Sequence, residues 1–373
     1  MTIAHEAAGA ACLPAELAIV VPAFNERRNV ALLIAAVSQA LGSIRWEMVF
    51  VDDNSPDGTA DEVRAIALAD PRVRIVHRFG RRGLATACIE GIMATAAPYV
   101  AVMDADLQHD ESILPEMFRR LTTEDVDLVV GSRYMAGGGT GEWAPGRVRM
   151  SRIATCMATR LTRTPISDPM SGFFMLKRDA FLRSLPSLSS VGFKILLDIA
   201  ASAPAPLKVA EVPFTFRTRR HGESKLDTLV LWEYFQLLLD KTFGRYVPVR
   251  FISFALVGGF GVFVHFFVLA LLFKGFAVRF MVAQAAATMV AISNNFLLNN
   301  ILTYRDQRLR GYRLFRGWLS FNLICLTGAT ANVGIADWLF THRSDWILSA
   351  LAGIAIGVVW NYAMSSIFTW RKR

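Results

Sequence analysis

Cysteine is scarce in this chain, with four in 373 residues (Cys12, Cys88, Cys156 and Cys325). They lie far apart, form no Cys-x-x-Cys and have no histidine at zinc spacing. That excludes a disulfide scaffold and a zinc module, and reads as free thiols in a reducing compartment. No Gly-x-Gly-x-x-Gly follows the first apolar run, Leu17–Phe24, so a dinucleotide site is not expected. No basic segment precedes that run, which is also too short for a secretory signal; the soluble part is expected in the cytosol. The net charge is +9. Yet no Lys/Arg run interleaved with aromatics and no nucleic-acid module occurs, so no nucleic-acid partner is expected.

What is present in excess is apolar sequence. Hydrophobic residues make up 53% of the chain and the mean hydropathy is +0.37. Residues 1–243 read as an ordinary mixed α/β sequence, and the excess falls within residues 250–370. Four segments there, Phe251–Phe273, Phe280–Tyr304, Trp318–Phe340 and Trp346–Trp370, each exceed the about 20 residues that cross a hydrocarbon core. Arg305, Arg308, Arg310, Arg313 and Arg316 separate the second from the third, and Arg371-Lys372-Arg373 ends the chain. The other two connections carry only Lys274 and Arg279, then Arg343. The positive-inside rule then predicts a multi-pass protein of the cytoplasmic (inner) membrane, with the N-terminal domain, the middle loop and the C-terminus in the cytoplasm. Trp318, Trp346, Trp360 and Trp370 fall mostly at segment ends, as an aromatic belt would. Asn294, Asn295, Asn299, Asn300, Asn322, Asn332 and Asn361 are expected to bridge helices. Residues 227–247 read as an interfacial amphipathic helix and linker, with a packed core helix as the competing reading.

The first 226 residues alternate short β-rich runs with helical patterns of 10–15 residues, which argues for a parallel sheet. Asn29 is expected to cap the first helix. Carboxylates recur where successive strands end: Glu26, then Asp52 and Asp53, then Asp104 and Asp106. Each alone reads as a turn or cap residue; three at one sheet edge suggest a site. In Asp104-Ala105-Asp106 the two acids are spaced i, i+2 and point the same way from a strand end. Their repulsion calls for a cation between them. Oxygen-only ligands suit Mg²⁺ or Mn²⁺, which carries substrate phosphates, and open α/β sheets bind ligands at the carboxyl ends of their strands. Downstream, Gly131-Ser132-Arg133-Tyr134 precedes a glycine-rich stretch and Arg147, Arg149, Ser151 and Arg152, cations suited to a second anion. Arg219, Gly222, Ser224 and Lys225 make a basic turn suited to phosphate.

Taken together these pieces resemble the polyprenyl-phosphate glycosyltransferases of the dolichol-phosphate mannose synthase type. The matching stretches are Val21–Glu26, Val51–Thr59, Asp104–His109, Gly131–Tyr134, Asp168-Pro169 with Ser171-Gly172-Phe173, Gly192-Phe193-Lys194, and Arg219 with Gly222–Lys225. Asn295–Asn299 is similar to the GtrA pattern. One departure is Gly80-Arg81-Arg82-Gly83, where the family often has Gly-Lys-Gly.

The resemblance implies an α/β GT-A nucleotide-diphospho-sugar transferase fold over residues 1–226, followed by an all-α four-helix GtrA-like transmembrane domain over 248–373. It implies inverting transfer of one hexose, mannose favoured and glucose allowed, from GDP-mannose or UDP-glucose to a polyprenyl (dolichyl or undecaprenyl) phosphate. Pro22, Phe24, Glu26, Asp52 and Asp53 would hold the donor nucleoside, and Asp104, Asp106 and Gln108 the Mg²⁺ or Mn²⁺ together with the donor diphosphate, with Asp106 and Gln108 favoured over Asp104 as direct metal ligands. Arg219, Ser224 and Lys225 would close over the donor diphosphate. Arg133, Arg147 and Ser151 would grip the lipid phosphate. Asp104, Asp106, Arg219 and Lys225 would carry the catalysis. Self-association as a homo-oligomer stays open. A processive polysaccharide synthase is the nearest rival, but its Gln-x-x-Arg-Trp is absent, and Thr123-Glu124-Asp125 comes too early for an acceptor-side base and reads as a helix end. A lipid-sugar flippase or scaffold with a non-catalytic soluble domain is the other alternative.

Overall fold

The computed structural model describes residues 14–371 except 81, 140, 142–144, 160, 161, 163, 190, 191, 193, 218–227, 245, 343 and 344. Side chains at 145, 147, 148, 150–153, 228–231 and 350 are likewise not described. The chain divides into two compact units, Met1–Thr242 and Phe243–Arg373.

The first unit is built on seven strands: β1 Leu17–Ala23, β2 Trp46–Asp52, β3 Val73–His77, β4 Tyr99–Val102, β5 Leu128–Ser132, β6 Phe174–Lys177 and β7 Val209–Pro213. Their order in the sheet is β3-β2-β1-β4-β6-β5-β7. The expected parallel sheet is therefore mixed, because β6 runs antiparallel to both β4 and β5. Helices α1 Arg27–Leu41, α2 Thr59–Ala67, α3 Leu84–Met93, α4 Leu114–Thr123, α5 Pro145–Thr159, α6 Arg178–Ser184 and α7 Ile195–Ser202 join the strands.

Both sheet faces are covered, which explains the uninterrupted apolar run of β1. Leu17, Ile19 and Val21 enter one core with α1 and α4 residues such as Leu33 and Met117. Ala18 and Val20 enter the other with Cys88, Phe181 and Leu196. Gly91 on α3 sits so near Val20 and Val51 that any side chain there would overlap them; its absence lets the helix lie close on the sheet. Asn29 does not cap α1. Glu26 takes that place, and Asn29 is buried one turn in, donating to the Glu26 carboxylate at 2.7 Å. Thr123 ends α4 and Glu124 caps it, as a helix-end reading requires.

A further helix, α8 Thr228–Phe243, belongs to this unit. Tyr234, Leu237 and Leu238 are buried against Ala158, Met170 and Leu197. The Lys241 ammonium reaches the buried Asp198 carboxylate at 2.6 Å. One face of α8 thus packs on the soluble unit, as the competing packed-helix reading requires, while Phe235 and Phe243 on it stay exposed.

The second unit holds α9 Val249–Ala270, α10 Phe280–Leu298, α11 Tyr312–Thr341 and α12 Trp346–Met364. With the wide turns that extend three of them, these are four helices long and apolar enough to cross a membrane. Helix α11 starts at Tyr312, so Arg313 and Arg316 lie on its first turns rather than in a loop. Trp370 is not a belt residue. It is 2% exposed, stacks on Tyr304 with ring centroids 4.2 Å apart, and donates to Asn300 at 3.1 Å. Asn300 also accepts from the Leu309 amide at 2.8 Å, fastening the basic loop to the end of the second span. Asn299 and Asn322 instead bond carbonyls one turn back in their own helices, whereas Asn295 lies against Gly261, Asn332 against Gly353 and Asn361 against Gly328 of the neighbouring helices.

Candidate functional site

Register brings the predicted acids to one edge. Ala23 pairs with Asp52, Asp52 with His77, and Val20 with Val102, so the loops after β1, β2 and β4 emerge side by side. Each contains a non-glycine residue in the left-handed region: Asn25 at φ 61°, Asn54 at φ 58° and Leu107 at φ 60°. Asparagine tolerates that conformation, whereas leucine rarely adopts it. Such strain gathers at functional sites, and here burial of the Leu107 side chain in the core holds it in place.

The loop after β2 is closed by its own acids. Asp52, fully buried, accepts from the Ser55 amide at 2.9 Å and the Ser55 hydroxyl at 2.5 Å. Asp53 meets the Arg78 guanidinium at 2.8 Å and the Gly83 amide at 2.8 Å. Burial raises the Asp53 carboxyl above its usual range, although Gly83 and Arg78 pull the other way. Arg78 is itself 1% exposed and gathers Asp53, the Gly83 carbonyl and the Thr86 hydroxyl. It was not singled out from sequence; a lone arginine two residues before a glycine-rich turn carries no distinguishing signal. The turn it holds brings the Arg82 guanidinium over the Phe24 ring at 4.4 Å. Pro22 stands next to last in β1, which ends at Ala23, and Phe24 and Glu26 follow it. The predicted donor-nucleoside residues are thus neighbours, with Arg82 added to them.

After β4, Asp104 remains partly exposed while Asp106 is buried. The Asp106 carboxylate accepts from the Gln108 amide at 3.1 Å, which closes the turn. Gln108 donates through its side chain to the Arg217 carbonyl at 3.0 Å, and the Arg217 amide returns a bond to the Gln108 carbonyl at 2.9 Å. Arg217 also grips Asp110 and Glu111 at 2.6 and 2.7 Å. The chain therefore enters residues 218–227 from beside the acidic turn. Arg219, Ser224 and Lys225 lie outside the described residues. His109, 2% exposed, accepts the Asp104 amide through Nδ1 at 3.1 Å. Burial pushes its pKa down to about 4, against the pull of Asp106, so the ring is neutral near pH 7.

The donor set fits a hard divalent ion. Asp104 and Asp106 offer carboxylate oxygens, and Gln108, whose amino end is occupied, has a carbonyl oxygen left as its ligating end. Among the described residues no three His, Cys, Asp or Glu side chains cluster at metal-binding range. The protein would then supply few ligands and leave the remainder to water and diphosphate, which is the habit of Mg²⁺.

Of the residues expected to grip the acceptor phosphate, Arg133 is 8% exposed and its fork is engaged. Nε and Nη2 donate to the two oxygens of the fully buried Asp168 at 2.7 and 2.8 Å. Burial opposes the guanidinium charge, but Asp168 outweighs it and holds the pKa above its ordinary value. Ser171 donates to the Gly131 carbonyl at 2.8 Å. The two motifs around Arg133 and Asp168 are therefore one folded unit. Arg147 and Ser151 lie on α5, and their side chains are among those not described.

Residues 18–184 match glycosyl transferase family 2, and residues 253–370 match GtrA/DPMS, transmembrane domain. A dolichol-phosphate mannosyltransferase of Pyrococcus furiosus is 32% identical over 359 residues, covering 95% of this chain and 99% of the relative. The chain belongs to the dolichol-phosphate mannosyltransferase family. The enzyme of that name from Saccharomyces cerevisiae is 38% identical over 252 residues, 64% of this chain and 92% of the relative. Among solved structures, a glucosyl-3-phosphoglycerate synthase from Mycobacterium tuberculosis, in complex with Mn²⁺, uridine-diphosphate and phosphoglyceric acid, superposes at TM-score 0.44 and 22% identity. That likeness covers 61% of this chain and 78% of the other. Family membership makes this chain a glycosyltransferase of GT-A-like fold and a membrane protein, and both expectations from sequence stand.

Proposed function

We propose that this enzyme transfers one hexose, mannose in preference to glucose, from a nucleotide diphosphate sugar to a polyprenyl phosphate at the cytoplasmic face of a membrane. The observation that carries the reading is the sheet edge where β4 ends in Asp104 and Asp106 beside Glu26 and Asp52, on a chain that continues into four apolar helices and matches a dolichol-phosphate mannosyltransferase from end to end.

The acceptor is a phosphate monoester whose second ionisation lies at about pH 6. Its oxygen is already a nucleophile, so no protein base has to deprotonate it. That oxygen bonds to the anomeric carbon from the face opposite the nucleotide. The bond from that carbon to the diphosphate breaks, its electron pair leaves with the nucleoside diphosphate, and configuration inverts. The protein's contribution is positioning and charge stabilisation. Asp104, Asp106 and Gln108 would hold Mg²⁺ or Mn²⁺, and the ion would supply positive charge to the leaving diphosphate. Arg219, Ser224 and Lys225 close on the same diphosphate. Phe24, Glu26, Asp52 and Asp53 shape the nucleoside pocket. Because Arg133 is matched by Asp168, direct contact with the lipid phosphate falls mainly to Arg147 and Ser151, where a guanidinium fork suits phosphate geometry.

The test is purified full-length enzyme in detergent with Mn²⁺ and polyprenyl phosphate, offered labelled GDP-mannose or UDP-glucose. Label is expected in the organic phase with GDP-mannose, and Asp106→Ala should cut it at least 100-fold. Label retained with UDP-glucose alone would change the sugar. Label in long polymer, or in no lipid product, would remove the acceptor assignment.

A further inference from the structure

We infer that His109 is a positioning residue that aims the Asp104 carboxylate, and that it does so as the neutral imidazole carrying its proton on Nε2. The inference rests on the metal–diphosphate reading of Asp104 and Asp106.

Both ring nitrogens face the same residue. Nδ1 accepts the Asp104 backbone amide at 3.1 Å, which leaves the proton of a neutral ring on Nε2. Nε2 lies 3.8 Å from the Asp104 carboxylate. That is too long for a hydrogen bond, so the Nδ1 bond is the direct hold on Asp104 and the Nε2 N–H dipole only faces its carboxylate. The ring cannot turn away. It stacks on Phe173 with centroids 5.0 Å apart and 16° between planes, and meets Phe214 and Phe216 edge-on at 5.8 and 5.7 Å. Gly172 closes the remaining side, where a methyl group would already touch the Asp104 carboxylate at 3.4 Å and the imidazole at 3.5 Å.

One cluster thus joins a partly exposed carboxylate to a buried ring locked by three phenylalanines. An outer group that hydrogen-bonds and orients a metal ligand typically contributes 10–100-fold to metal affinity, and His109 bonds the Asp104 turn through its backbone amide. The cluster also gives Ser171-Gly172-Phe173 a purpose: Ser171 ties the segment to Gly131, Gly172 leaves room beside Asp104, and Phe173 holds the imidazole.

The experiment measures Mn²⁺ binding to the full-length protein in detergent, with GDP and separately with UDP, by the paramagnetic resonance of free Mn²⁺. His109→Phe keeps the aromatic packing and removes both nitrogens. It should raise the Mn²⁺ Kd about tenfold or more, while nucleotide binding in chelator stays as in the wild type. His109→Gln, whose amide reaches toward the Nε2 position, should recover part of the affinity. Combining His109→Phe with Asp104→Asn should add little to the loss from Asp104→Asn alone, because the histidine acts through that carboxylate. Wild-type Mn²⁺ affinity in both histidine variants, or fully additive losses in the double variant, would overturn the inference. A wild-type protein that binds no Mn²⁺ with either nucleotide would overturn the metal reading itself. Should His109→Phe fail to fold, the affinity of His109→Gln set against His109→Asn, which retains only the Nδ1-side acceptor, decides the matter: equal, unimpaired affinities would sink it.

Discussion

Arg133 shows how one residue can read differently in sequence and in structure. As a cation in Gly-Ser-Arg-Tyr it suggests a phosphate grip, but in the fold two of its nitrogens are spent on Asp168. The two roles separate under Arg133→Lys. Lysine keeps the charge and loses the paired geometry, which should cost about 1.5–3 kcal/mol, the scale of a charged hydrogen bond. Thermal unfolding of the full chain reads that loss directly. If the role is structural, the KM for polyprenyl phosphate stays within about twofold; a rise of tenfold or more, with unfolding unchanged, would restore the grip on the lipid phosphate. Asp104 and Asp106 stood out in the sequence as candidates through their recurrence with Glu26, Asp52 and Asp53 at strand ends. Arg78 and Asp198 were not, because a buried ion pair leaves no periodic trace: its partners are 25 residues upstream in one case and on a later helix in the other.

At the scale of elements, α8 carries the most consequence. Its apolar and aromatic composition suits a bilayer surface and a protein core equally, and Lys241 fastens it to the soluble unit. The ammonium lies among the Asp198 carboxylate at 2.6 Å, the Ser202 hydroxyl at 2.8 Å and the Ser187 carbonyl at 3.0 Å. Lys241→Met would leave Asp198 charged and buried without its partner, a cost of about 3–5 kcal/mol. The melting temperature should fall accordingly, and adding Asp198→Asn should recover much of it. A melting curve unchanged by Lys241→Met would mean that the helix is not held to the catalytic domain as described. The sheet offers a second case. The direction of strand β6 cannot be read from its sequence, because a buried strand looks the same read either way and only the crossover decides.

For the molecule as a whole, two units with different solvents share one chain. The soluble unit buries its apolar residues on both faces of the sheet. The membrane unit exposes Phe263, Phe267, Met281 and Leu348 outward, which is stable where the surroundings are hydrocarbon. Arginines at 305, 308, 310, 313 and 316 and the basic C-terminus predict orientation. A reporter fused after Arg373, and another placed in the loop at Arg310, should both read cytoplasmic in intact cells. An outward reading for either would invert the proposed topology and separate the catalytic domain from cytoplasmic nucleotide sugars.

Sequence by itself determined the class of each unit, the four spans, the acids at the strand ends and the family, because periodicity, length and short polar motifs are local properties that one stretch of chain expresses alone. Tertiary structure decided which of those polar groups pair with one another. Asp52 closes a loop, Arg133 answers Asp168, Trp370 leaves the membrane surface for the core, and His109 turns both nitrogens toward Asp104. Each depends on partners distant in sequence or on which way a ring is turned, and the free energy of pairing a buried polar group is settled only when the fold brings its partner within hydrogen-bonding range.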